Sequence, residues 1–115
     1  MTHRSLKLDE LRAFFQQNAD YHFSTLKCRA VGINLIEARF LKQLAIAERD
    51  NQWVFANFGA GKAYQVLQRG WVANPLGTSG NAHTNIWQLT GQGIDILNSI
   101  MHDTDIPKNK PQTGE

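Results

Sequence analysis

One segment, residues 62–93, constrains the fold of this chain more than any other. It begins with Lys62–Arg69, in which Val66 and Leu67 can anchor one short helix to a core. Gly70 favours the end of that helix, because glycine takes a left-handed backbone there without a Cβ penalty. Trp71–Val72 and Ile86–Leu89 are typical of strands, and the polar, glycine-rich residues between them predict a hairpin loop.

Helices are predicted on the N-terminal side of this segment. Apolar residues recur at three- and four-residue steps from Leu6 to about Asn18, which predicts a first helix. Residues 19–32 show no clean period and are interpreted as a loop or a short helix. Asn34 and Glu37 match a capping box that opens the next helix. The apolar stripe of that helix, expected in the core, consists of Ile36, Phe40, Leu41, Leu44 and Ala45.

The middle and the end of the chain complete one domain. Asp50-Asn51-Gln52 is expected to break the preceding helix. The bulky run Trp53–Phe58 is assigned to a further helix or to a short strand beside it, and Gly59–Gly61 to a turn. Thr90 is expected to cap a last helix. Residues 1–106 are thus interpreted as a single domain and residues 107–115 as a disordered tail.

Composition excludes several classes of protein. With 42% hydrophobic and 19% charged residues among 115, the chain is typical of a single globular domain. A single cysteine, Cys28, rules out an internal disulfide and indicates a reducing compartment. No apolar run approaches the roughly 20 residues of a membrane span. We therefore expect a cytoplasmic protein that does not enter a membrane.

The distribution of charge is more informative than its total. The formal net charge is only +2, yet none of the ten acidic residues lies between Asn51 and Ile94. A surface that contacts phosphates must exclude carboxylates, because like charge there costs affinity. The acid-free stretch therefore indicates a face that meets an anionic partner.

The run LQRGWV, followed by NIWQLTGQGIDIL, resembles the pattern of MarR-type and related winged helix-turn-helix regulators over about residues 34–101. The resemblance implies an α+β, mainly α fold, in which a winged helix-turn-helix carries an extra N-terminal helix and a C-terminal helix. It further implies a sequence-specific protein that binds double-stranded DNA, a small dimeric transcriptional regulator. Lys62–Arg69 is then the recognition helix.

Candidate DNA contacts follow from this assignment. Gln65 and Gln68 present amides that can bond adenine, Arg69 can reach guanine or phosphate, and Lys62 lies near the backbone. Replacing Lys62 or Arg69 by alanine is expected to weaken DNA binding without an appreciable loss of stability. In full, the predicted DNA-binding residues are Lys62, Ala63, Gln65, Gln68 and Arg69 on the helix, with Thr78, Ser79, Asn81, His83 and Thr84 on the wing.

A homodimer is expected because two terminal helices carry more apolar surface than one small core easily covers. Phe14 and Phe15 diverge by about 100° on a helix, so one of them needs a further surface to cover it. The predicted dimer contacts are Leu11, Phe14, Phe15, Ile100 and Met101.

Two other functions are open at this stage. The low net charge leaves room for a protein-interaction module on the same fold, which would bind an acidic partner through the acid-free face. An enzyme is disfavoured: the segment Gly59–Lys62 lacks the remaining residues of a phosphate-binding loop, and the four histidines show no metal-ligand spacing. Cys28 is interpreted as a small buried hydrophobe. No catalytic residue, cofactor or metal is expected.

Overall fold

A computed structural model describes residues 5–74 and 85–105 of the chain, and within these ranges it contains six α-helices and three short strands. A 3₁₀ turn, Asp103–Asp105, ends the described part. The elements in chain order are α1 (Leu8–Gln17), α2 (Thr25–Val31), α3 (Leu35–Ile46), β1 (Arg49–Asp50), α4 (Asn51–Phe58), α5 (Ala60–Gln68), β2 (Val72–Ala73), β3 (Ile86–Leu89) and α6 (Gly91–Ile100).

Side-chain caps fix where four of these helices begin. At α3, the Asn34 side chain accepts from the Glu37 backbone N–H, and the Glu37 carboxylate accepts from the Asn34 backbone N–H. This confirms the predicted capping box. Thr90 accepts from the Gly93 backbone N–H at the start of α6, as predicted. Ser24 caps α2 in the same way, and Asp50 caps α4 through the backbone N–H of Trp53.

The three strands form a small antiparallel sheet in the order β1-β3-β2. Arg49 of β1 lies opposite Trp87, and Val72 of β2 lies opposite Leu89. The central strand β3 therefore joins the segment before α4 to the segment after α5. The strand predicted at Ile86–Leu89 is confirmed, whereas the other hairpin strand begins one residue later than predicted, at Val72.

Aromatic side chains dominate the core around the sheet. Trp87 is fully buried, and its ring centroid lies 6.1 Å from that of Phe40 on α3 and 5.7 Å from that of Tyr64 on α5. Phe55 of α4 makes a T-shaped contact with the same indole at 6.0 Å. One tryptophan from the central strand thus meets three helices, and this arrangement fixes α5 relative to α3 and α4.

The structure corrects the predicted dimer contacts. Leu11, Phe15, Ile100 and Met101 are 0% exposed within the single chain, so they belong to its core and are not available to a second subunit. Tyr21, in the loop after α1, packs edge-on against both Phe14 and Phe15, with ring centroids 5.3 and 5.6 Å away. Phe14 is therefore covered without a partner chain.

The segment from α3 to α5 also differs in detail from the prediction. Ile36 is 50% exposed, although it was assigned to the core stripe, whereas Phe40, Leu41, Leu44 and Ala45 are buried as predicted. Trp53–Phe58 belongs to a helix, α4, and the turn that follows is the single residue Gly59. The helix expected at 62–69 starts two residues earlier.

The described chain is thus α+β and mainly helical, with a small three-stranded antiparallel sheet, and this arrangement is compatible with a winged helix. Residues 19–32, interpreted from the sequence as a loop or a short helix, contain the helix α2. Among the described residues, no helix is both long enough and apolar enough to cross a bilayer. The predicted tail, 107–115, lies outside the described residues.

Candidate nucleic-acid interface

Helix α5 is bounded by two glycines with positive φ. Gly59 has φ +85° and separates α4 from α5 with no other residue between the two helices. Gly70, with φ +81°, follows the last turn and confirms the predicted left-handed residue at the end of the helix. Only glycine adopts such values at little cost, so the two positions define where the helix starts and stops.

The inward face of α5 is apolar and tightly packed. Ala63 and Val66 are 0% exposed, and Tyr64 packs against Phe55 with ring centroids 5.9 Å apart. The prediction that Ala63 contacts DNA is therefore wrong. Its methyl group belongs to the core, because the helix turns this position toward the other helices and the sheet.

The outward face of α5 is neutral and polar. Gly61, Gln65 and Gln68 are exposed at helical positions i, i+4 and i+7, so they form one stripe along the helix. Lys62 is half-buried beside this stripe and has no hydrogen-bond or ion-pair partner within the described part of the chain. Three of the predicted DNA-binding residues, Lys62, Gln65 and Gln68, thus lie together and have their polar groups free.

The guanidinium of Arg69, in contrast, is bonded to other residues of the chain. Its Nη1 donates to both carboxylate oxygens of Glu37 at 3.1 Å, and its Nη2 donates to the Gly32 carbonyl at 2.8 Å. The guanidinium also lies 4.1 Å from the ring centroid of Trp71. Arg69 thus links the end of α5 to the start of α3, and its contact with guanine or phosphate stays a prediction.

Arg49 is held in a similar way on the other side of α4. Its guanidinium carbon lies 4.3 Å from the ring centroid of Trp53, and Nη2 donates to the Gln43 side chain at 3.2 Å. Burial lowers the pKa of Arg49. Of the three cations between residues 49 and 69, two are therefore engaged in protein contacts, and Lys62 has no partner among residues 5–74 and 85–105.

Asn51 controls the base of the predicted wing, a role that sequence reasoning missed. Its side-chain oxygen accepts from the indole N–H of Trp87 on β3 and from the Asn74 amide just after β2. Its backbone N–H donates to the Asn85 carbonyl at 3.0 Å. One residue at the start of α4 thus contacts both ends of the hairpin connection. The predicted wing contacts Thr78, Ser79, Asn81, His83 and Thr84 lie outside the described residues.

A second exposed feature lies on α2 and on the first turn of α3. Three large apolar side chains are exposed there, Leu26 at 74%, Leu35 at 45% and Ile36 at 50%. Ile36 precedes Glu37, the residue that Arg69 binds, so this turn adjoins the end of α5. The Arg69–Glu37 ion pair thus connects this turn of α3 to the C-terminal end of α5.

The cysteine and the metal-ligating side chains are the remaining candidate groups. Cys28 is 3% exposed, and burial raises the pKa of its thiol, which keeps it in the unreactive neutral form. Within residues 5–74 and 85–105, no three histidine, cysteine or acidic side chains are grouped closely enough to hold a metal ion.

Compared with models of protein families, with curated proteins and with solved structures, the chain matches none. Its function has to be argued from its own geometry.

Proposed function

We propose that the protein is a winged-helix DNA-binding protein and that α5 is its recognition helix. The order α3-β1-α4-α5-β2-β3, with β3 central in the sheet, supports this reading, since helix, strand and hairpin follow as a winged helix-turn-helix requires. The role is that of a small transcriptional regulator in which the hairpin connection after β2 is the wing.

The observation that carries the proposal is the stripe of Gly61, Gln65 and Gln68 on α5. An α-helix with its side chains is about 10–12 Å across, a diameter that fits a major groove about 12 Å wide. The glutamine amides can each make a bidentate contact to adenine, and Gly61 lets the backbone approach closely. No acidic residue from 51 to 94 opposes the approach of phosphates.

The electrostatic contribution from the described part of this face is small. Lys62 is the one cation of α5 that is free of protein partners there, so few counterions are released on binding through the helix. Hydrogen bonds to bases therefore contribute a larger share of the affinity than phosphate contacts do. Such a protein discriminates between sequences but holds non-specific DNA weakly.

The proposal is tested by selecting bound duplexes from fragmented genomic DNA and titrating the full-length protein with an enriched duplex and a shuffled one. We expect the enriched duplex to bind at least ~1,000-fold more tightly, the lower end of the range of specific recognition. Equal binding of both duplexes, or no enrichment in repeated selections, would contradict the proposal.

A protein-interaction module is the second candidate, and the exposed Leu35 and Ile36 favour it. Exposed apolar side chains, in a chain with no acidic residue from 51 to 94, suit an acidic amphipathic partner better than a phosphate backbone. The double variant Leu35→Ser with Ile36→Ser separates the two functions. If the variant binds an enriched duplex as the wild type does, the result supports the DNA-binding role of α5. If the wild type shows no DNA preference and the variant loses a defined protein partner, the result supports the interaction module.

We still propose a homodimer, but not through the interface predicted from the sequence. Since Leu11, Phe15, Ile100 and Met101 are core residues, a dimer needs other surfaces. Sedimentation equilibrium at micromolar concentration tests it: we expect a dimer, and a monomer would contradict homodimer formation.

A further inference from the structure

A groove at the junction of α1 and α3 lies apart from the described α5 stripe. One cavity there has a volume of about 360 Å³ and is lined by Asp20, Tyr21, His22, Arg39 and Lys42. A neighbouring cavity of about 340 Å³, lined by residues 17–22, shares Asp20, Tyr21 and His22 with the first. The two cavities adjoin, and the one lined by Arg39 and Lys42, called the groove below, is large enough for a small organic molecule.

The unusual group in this groove is Lys42. It is only 7% exposed, and its Nζ donates to the Ala19 carbonyl at 2.5 Å. An ammonium has three N–H donors, and the Ala19 carbonyl accepts a hydrogen bond from one of them. Burial lowers the pKa of Lys42, an effect that nearby Asp20 opposes and nearby Arg39 reinforces. A buried cation in this position is costly unless an anion compensates it.

Arg39 adds a second positive charge to the same wall. It precedes Lys42 by one turn of α3, is exposed, and has no hydrogen-bond or ion-pair partner in the described ranges. Like charges three residues apart on a helix repel each other, so the pair favours an anion placed between the two side chains. Asp20 is the acidic residue that lines the cavity, and one carboxylate leaves the two cations with an excess of positive charge.

We propose that this groove binds a small oxyanion, a phosphate or a carboxylate, between Lys42 and Arg39. Lys42 supplies a charge-assisted hydrogen bond from the wall of the groove. Arg39 supplies a planar donor fork at its mouth. The ring of Tyr21 forms part of the wall. Its hydroxyl already donates to Asp105 at 2.6 Å, so we assign it no bond to the anion. The site does not depend on the proposed DNA-binding function.

The test uses the full chain and two probes, inorganic phosphate and acetate, each against sodium chloride of matched ionic strength. Backbone amide chemical shifts at residues 19–23 and 39–42 report occupancy. We expect saturable shifts there with at least one probe and none with chloride alone. A response to phosphate only would assign a phosphate site, and a response to acetate only a carboxylate site.

Two variants and a control make the assignment specific. Arg39→Gln is expected to weaken binding about tenfold while the protein stays folded, because Arg39 is exposed. Lys42→Met is expected to abolish binding, and if it does not fold, Arg39→Gln alone carries the test. Arg29→Gln, an exposed arginine outside this groove, should bind as the wild type does. Absent shifts with both probes, shifts reproduced by chloride, or equal effects of the two arginine variants would overturn the proposal.

Discussion

Arg69 and Glu37 form an ion pair across 32 positions of sequence, with Nη1 at 3.1 Å from both carboxylate oxygens. The Glu37 side chain is 7% exposed and that of Arg69 is 38% exposed, so the carboxylate is the buried partner. The pair connects the end of α5 to the first turn of α3. It therefore fixes the end of α5, the proposed recognition helix, against the start of α3.

Arg69→Ala is predicted to destabilise the fold, in contrast to the expectation from sequence. Removing the arginine leaves the buried Glu37 carboxylate without its cation, and we expect a loss of about 1–3 kcal/mol in the free energy of unfolding. Urea unfolding measures it, with Arg29→Ala as the control because Arg29 is exposed and unpaired in the described ranges. Equal stability of the two variants would show that the pair is not structural.

Gly93→Ala and Gly91→Ala form a matched pair in the first turn of α6. A Cβ at Gly93 would lie 2.0 Å from the Trp71 carbonyl oxygen, a backbone atom that also accepts from Thr90. A Cβ at Gly91 would meet nothing within 4 Å. We expect Gly93→Ala to cost about 2 kcal/mol or more by forcing the backbone apart, and Gly91→Ala to be neutral or stabilising by up to ~1 kcal/mol. Thermal unfolding of both variants checks this, and similar midpoints would contradict the close approach of α6 to Trp71.

Asn51→Ala is predicted to loosen the base of the hairpin connection. The substitution removes the acceptor for the indole N–H of the buried Trp87, and an unpaired buried donor costs about 1–3 kcal/mol. Asn57→Ala is the control, because its amide bonds only the Trp53 carbonyl on the exposed side of α4. The readouts are the unfolding midpoint and hydrogen exchange of the Asn85 and Trp87 amides. Unaltered exchange in Asn51→Ala would show that another contact holds the hairpin.

Local sequence patterns predicted the elements that depend on neighbours in the chain. These elements are the capping box at Asn34, the cap at Thr90, the strand Ile86–Leu89 and the left-handed Gly70, and each needs only residues within a few positions. The sequence does not decide between loop and helix for α2, because its seven residues bury only Cys28 fully and give no periodic stripe.

Predictions failed where the answer depends on tertiary packing. A periodic stripe shows that Phe15 and Ile100 face something apolar, but it does not show whether that surface is the same chain or a second subunit. Arg69 is a free cation in the sequence, and its partner Glu37 is recognisable only once α5 lies against α3. Ala63 is equally small and neutral on either face of α5, so its burial could not be read from its residue type.

Lys62→Ala is predicted to change the salt dependence of DNA binding. Each phosphate contact contributes about 0.9 to the slope of log affinity against log salt on duplex DNA, so the variant should have a slope shallower by about 1 for each protomer. Affinity titrations at several salt concentrations measure it, with Arg29→Gln as the charge-matched control. Equal slopes for Lys62→Ala and the wild type would remove Lys62 from the phosphate contacts.

The central claim, that α5 reads DNA, is tested most directly by the double variant Gln65→Ala with Gln68→Ala on a duplex selected by the wild type. Both side chains are exposed, so the variant should remain folded. We predict that it binds the selected duplex at least ~30-fold more weakly, while its affinity for shuffled DNA is unchanged, because each adenine contact contributes about 1–3 kcal/mol of discrimination. Gln17→Ala, an exposed glutamine on α1, should bind both duplexes as the wild type does. Wild-type affinity and discrimination in the double variant would contradict the claim.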